Sequence, residues 1–256
     1  MKKRVTPRKI KKYGWKPSLP DIRDLKYKIS APVTLPESVD LSPNCPPVYN
    51  QLQLGGCTGN SFAAAYEYKL IAQKEIDFTP SRLFIYFNER SLEGTVKSDA
   101  GAMNRDGAKA LNKLGVCDEK IWPYIPKYFA NTPTNECFLE GLKHTITQYE
   151  SLDNTSLYML QQCLAKGTPF VFGFTVYESF EGQEVAATGI MTMPDNSESV
   201  LGGHSVLAVG YDNKTKMIKV RNSWGDSWGD KGYFYMPYEY ITNPQLASDF
   251  WCIDAV

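Results

Sequence analysis

The sequence predicts an α+β protein, mainly helical in its first half and mainly β in its second. Two observations carry this. Up to about residue 166, apolar residues group into helix-length segments closed by Gly or Pro. From Phe170 onward the apolar runs are short, β-branched or aromatic, and bounded by Gly, Asn, Asp or Pro. A chain of 256 residues, 43% hydrophobic, can bury a large core as one domain or as two halves around a cleft.

Residues 57–75 read as one buried helix, Ala-rich enough for close packing. Thr79-Pro80-Ser81 opens a second helix, with proline tolerated in the first turn ahead of Leu83–Phe87. A third is expected near 104–114, stopped by Gly115. The stretch from Trp122 to Pro133 is loop, and a further helix near 155–166 ends at Gly167-Thr-Pro169. Strands are expected at Phe170–Tyr177, Ser205–Tyr211, Met217–Val220, Tyr233–Met236 and Phe250–Ala255. No internal repeat or low-complexity tract interrupts this order.

The chain divides into an extension over 1–34, a helical part over 35–150 and a β part over 151–256. The extension is rich in Pro and Lys and has no core of its own. Net charge is zero, yet residues 1–20 hold eight Lys/Arg and no acid, leaving 20 bases against 28 acids in the rest. Charge alone allows this arm either to dock on the acidic body or to remain a solvated tail. Trp15, Ile22, Leu25 and Tyr27 are its candidate apolar anchors. Outside the arm there is no basic stripe, so nucleic acid is not an expected partner.

No apolar run is long enough to span a bilayer, and the N-terminus lacks the apolar stretch of a secretory signal. A cytoplasmic location, which includes a host cell or a virion, is expected over secretion, the alternative being that a signal has been removed. Six cysteines are too sparse for a disulfide scaffold, and Cys163 and Cys252 read as core thiols. With two histidines and no CxxC pair, neither a metal nor another cofactor is expected.

Three blocks carry the chemistry. Cys57 opens the Ala-rich helix after Gly55 and Gly56, where a helix N-terminus can lower a thiol pKa and small residues let a substrate backbone approach. His204 opens an apolar strand 147 residues later, a separation suited to opposite walls of a cleft, and His144 has no motif around it. Asn222 follows after 18 residues, within reach of a hairpin return, and its side-chain carbonyl can hold the imidazole in one tautomer. Trp224 can shield that bond from water.

In this order, Gln51–Cys57, Gly202–Tyr211 and Asn222-Ser-Trp-Gly-Asp-Ser-Trp228-Gly229 resemble the papain family of cysteine peptidases. The resemblance runs from about Leu35 to the end. It implies the papain-like fold, with a helical left half, a β-barrel right half and the active-site cleft between them. It implies a protein or peptide substrate and a Cys57–His204–Asn222 centre working through a covalent acyl-enzyme. Gln51, six residues before Cys57, stands where the family has its oxyanion glutamine. Gly101 resembles the glycine that pairs with an extended peptide, and Gly56 and Trp224 join it as substrate-side candidates. Leu54 and Thr58 replace the family's usual cysteine and aromatic residue, which marks a divergent branch of bacterial or viral type. Members are commonly made with a blocking extension, so residues 1–34 are expected to inhibit intramolecularly, as in a zymogen. A catalytically silent binding protein, or an acyl transferase or amidase on the same residues, stays open as an alternative.

Overall fold

The computed structural model describes residues 10, 12–29, 31 and 33–254. Helix α1 (Cys57–Gln73) is buried from Cys57 to Leu70, as a helix apolar nearly all round must be. Against it pack α2 (Arg82–Leu92) and α3 (Asn104–Leu114). Ser81 caps α2, its Oγ accepting the Phe84 amide at 3.2 Å, so Pro80 lies just ahead of the cap rather than in the first turn. Gly115, at φ +64, stops α3 where expected.

The strands are β1 (Ser38–Asp40), β2 (Gln148–Ser151), β3 (Phe170–Tyr177), β4 (Val200–Asp212), β5 (Met217–Arg221), β6 (Tyr233–Pro237) and β7 (Ala247–Asp254). Their antiparallel order is β2-β7-β3-β4-β5-β6, with β1 pairing separately to β4. The barrel expected from the resemblance is not closed among the described residues, since β2 and β6 do not pair. Register shifts at Val176/Tyr177, Val171/Gly173 and Ala208/Gly210 mark bulges, which bend a sheet without joining its edges. The short elements β1, β2, α4 (Asn135–Gly141), α6 (Gln183–Thr188) and α7 (Tyr238–Ile241) lacked a periodic signal, while α5 (Leu157–Ala165) falls where a helix was expected.

Strand alternation builds two cores back to back. Phe170, Phe172, Phe174, Val206 and Ala208 face a core inside the curled sheet. Val171, Leu207, Val209, Trp251 and Ile253 face the other way and join α1 residues Phe62, Ala63 and Tyr66. The start of α1 therefore abuts the start of the buried part of β4, which brings the cysteine and histidine blocks together. All six cysteines are free thiols. No described helix is long and apolar enough to cross a membrane.

Candidate active site

Cys57 is the first residue of α1, after Gly56, which caps the helix without a side chain. The amides of Ser205, next to His204, and of Gly14, in the extension, both reach its sulfur. They pull the thiol pKa down, but burial dominates and pushes it up to about 12. The lowered pKa expected from the helix terminus is therefore absent here. The extension covers the sulfur and removes the water that would solvate a thiolate.

On β4, His204 is fully buried, and its Nε2 lies 2.8 Å from Asn222 Oδ1. The same oxygen accepts the Ser223 amide at 2.8 Å, fixing the carboxamide. Trp224 lies over the imidazole with ring centres 5.2 Å apart and is itself wedged against Phe180 and Trp228. At 2% exposure it shields the His204–Asn222 bond and offers a substrate almost no surface. Gln51 is buried beside them; its Oε1 accepts from Ser223 Oγ at 2.6 Å and its Nε2 donates to the Leu54 carbonyl at 3.0 Å.

Residues 13–16 run through the space between these groups. Tyr13 stands edge-on to His204, ring centres 6.0 Å apart, and donates its hydroxyl to Glu181 at 2.6 Å. Trp15 donates its amide to the Gly203 carbonyl at 3.0 Å, and Lys16 donates its own to Ala102 at 3.1 Å. Ala102 returns its amide to the Gly14 carbonyl at 2.7 Å. Farther along, Tyr27 and Leu25 exchange amide hydrogen bonds with Ser151, and Arg105 grips Asp24 at 2.7 Å.

The substrate-side candidates Gly101 and Gly56 differ in how they meet the extension. Gly101 donates its amide to the Tyr86 hydroxyl at 3.1 Å and lies against Gly14, whose carbonyl oxygen a Cβ on Gly101 would meet at 1.9 Å, while Ala102 makes the main-chain pairing with the extension. Gly56 packs against the Tyr86 ring, and it is Gly55 whose carbonyl meets the extension at Gly14. The expected anchors also divide. Trp15 is buried and Tyr27 is partly buried against the sheet core, whereas Ile22 is fully exposed and Leu25 half-exposed. Across to the body, the ion pair made by the extension's described bases is Lys16–Glu93 at 2.5 Å, and the basic run over 1–9 lies outside the described residues.

Sequence reasoning missed Glu89 and Asp249. Glu89 is buried on α2 and accepts the Thr58 hydroxyl at 2.6 Å; burial holds its carboxyl well above the usual range. Asp249 sits at φ +63 where β7 bulges, and burial raises its pKa too. Asp249 stood one residue ahead of the strand expected from Phe250, and Glu89 was a single acid in a helix with no motif around it, so neither gave a signal.

A model of the papain family of cysteine proteases matches residues 35–250, and the chain belongs to that family as a papain-like cysteine peptidase. It is 42% identical over 245 residues to an uncharacterized peptidase C1-like protein of Acanthamoeba polyphaga mimivirus, covering 93% of this chain and 76% of that one. Cysteine proteinase 3 of Entamoeba histolytica is 29% identical, and the chain spans 62% of its length. Among solved structures, xylellain, a cysteine protease from Xylella fastidiosa, is 42% identical with a TM-score of 0.88, covering 100% of this chain and 98% of that one. That match takes in the extension, which lies ahead of the family model's match. Procathepsin L2 of Tenebrio molitor, 21% identical over 95% of this chain and 78% of that one, shares the fold with a TM-score of 0.75.

Proposed function

We propose that the chain is an endopeptidase using Cys57, His204 and Asn222, with residues 1–34 as a built-in inhibitor. The observation that carries the reading is the 2.8 Å His204–Asn222 bond under Trp224, beside a helix-opening cysteine whose sulfur takes the Ser205 amide. With the cleft open, Cys57 gives its proton to His204 and the thiolate adds to the peptide carbonyl carbon. The charge on the carbonyl oxygen falls to the Cys57 amide and to the second N–H of the Gln51 carboxamide. One such donor is worth roughly 3–4 kcal/mol in the transition state. Collapse breaks the C–N bond as His204 protonates the leaving amine. Water then loses a proton to His204 and attacks the thioester, and the C–S bond breaks to release the carboxylic acid. Asn222 keeps the imidazole in the tautomer that can take the thiol proton.

The way the extension is seated supports inhibition rather than cleavage. The backbone N–H of Gly14 is what reaches the sulfur, while the Gly14 carbonyl accepts the Ala102 amide at 2.7 Å. The test is acid-quench mass spectrometry with peptide esters, on the full chain and on a chain shortened to begin at Leu35. An acyl group on Cys57, absent in Cys57→Ala and faster to appear in the shortened chain, is the expected result. Peptide hydrolysis that survives Cys57→Ala would refute the mechanism. Product formed only with an added amine acceptor would make the protein a transferase.

A further inference from the structure

The Trp15 side chain fills a slot with the shape of an indole. Gly173 on β3 and Gly203 on β4 form its floor as diagonal neighbours in the register. A Cβ on Gly173 would fall 1.8 Å from the Trp15 ring, and one on Gly203 would fall 2.6 Å from it. Any side chain at either position would fill the slot, so two bare backbone stretches are what admit a flat ring. At the far end the indole Nε1 donates to Asp249 Oδ2 at 3.2 Å.

That acceptor is held in place from other sides. The same oxygen accepts the Asn104 amide at the start of α3 at 2.9 Å, and Oδ1 accepts the Trp251 indole N–H at 2.7 Å. Asn104 also donates its side-chain amide to the Asp249 carbonyl at 3.0 Å. The left-handed backbone of Asp249, at φ +63 in the β7 bulge, turns the carboxylate towards the slot. When Trp15 leaves, a slot remains with a carboxyl acceptor held at its end.

Resting on the peptidase reading above, we propose that this slot selects a substrate side chain and that Asp249 makes it select tryptophan. A phenyl or leucyl group would fill part of the slot but bring no donor to the carboxylate, and a site built to accept a hydrogen bond discriminates against groups that lack it. The extension, on this view, holds the cleft by presenting the side chain the cleft prefers.

The test uses the full chain carrying Trp15→Ala, which vacates the slot. Residual competition from the extension lowers every rate alike and leaves ratios intact. Peptides differing at one of the two residues before the cleaved bond carry Trp, 3-benzothienylalanine (the same shape with sulfur for N–H), Phe, Leu or Arg. At one position, Trp should be cut with kcat/KM about tenfold or more above benzothienylalanine, as for leaving a buried acceptor unpaired. Asp249→Asn, which tolerates the left-handed backbone, should shrink that ratio to about threefold or less while the Phe peptide changes little. Equal rates for Trp and its isostere at both positions, or a preference for Arg, would overturn the proposal with the peptidase reading intact. No cleavage of any peptide would overturn both. If Asp249→Asn fails to fold, the isostere ratio still decides.

Discussion

Gly14→Ala should open the cleft. A Cβ at Gly14 would lie 1.7 Å from the Gly55 carbonyl oxygen and 2.4 Å from its carbon, both backbone atoms just ahead of α1. Neither can yield without moving the helix start, so the extension must lift. Lifting gives up three main-chain hydrogen bonds, around Trp15, Lys16 and Ala102, at about 1 kcal/mol each. It also gives up the burial of Trp15, about 3 kcal/mol at most. A loss of this size is smaller than the cost of a C–O contact so far inside van der Waals range. In the closed chain the Cys57 thiol stands at about 12 against an ordinary 9.0. Restoring water brings back about a thousandfold in thiolate share at neutral pH. The sign follows from burial: the closed form holds the thiol proton more tightly, so it is favoured at low pH and loses ground as pH rises through the open-state pKa. Iodoacetamide labelling of Cys57 at pH 7 should therefore accelerate by two to three orders of magnitude in Gly14→Ala, about as far as the thiolate share rises. Peptidase activity should rise with it. Unchanged labelling and activity, with Trp15 fluorescence still that of a buried indole, would refute the reasoning.

His204→Ala in an opened chain should remove nearly all turnover, while Asn222→Ala should cost roughly 10- to 100-fold in kcat, the worth of one hydrogen bond to a charged group; stopped assays on one peptide distinguish them. Gln51→Ala should lower kcat more than it raises KM, though part of the loss will reflect the contacts to Ser223 and Leu54. In the same opened chain the pH–rate profile should be bell-shaped, and a labelling rate that merely climbs through a pKa of roughly 8.5 would argue against a thiolate–imidazolium pair. Lys16→Ala should raise labelling of the closed chain only a few-fold, since one part-exposed ion pair is worth about 1 kcal/mol or less. Labelling that jumps as far as in Gly14→Ala would restore charge as the main force holding the extension.

The helix opened by Cys57, the strand carrying His204 and the hairpin carrying Asn222 were legible because each pairs a chemical residue with a local pattern, although β4 begins at Val200, ahead of the expected start. The seating of the extension was legible only in part. Trp15 is an anchor because two glycines 30 residues apart meet beneath it, and no local pattern reports that meeting. Ile22 is also a large apolar side chain and finds no surface. That the extension pairs through Ala102 was equally hidden, since Tyr86, brought in by α2, takes the amide of Gly101. Asp249 was hidden because its strand was expected to begin at Phe250, one residue too late to include the bulge.

The covered thiol also bears on durability. Peroxide attacks cysteine as the thiolate, and each step beyond sulfenic acid is hard to reverse. A sulfur with no exposed surface and its pKa near 12 offers an oxidant neither access nor charge. The closed chain can therefore be kept in an oxidising medium with its nucleophile intact, and begins to age chemically only once it is opened. On the proposed reading, the segment that silences the enzyme also preserves it.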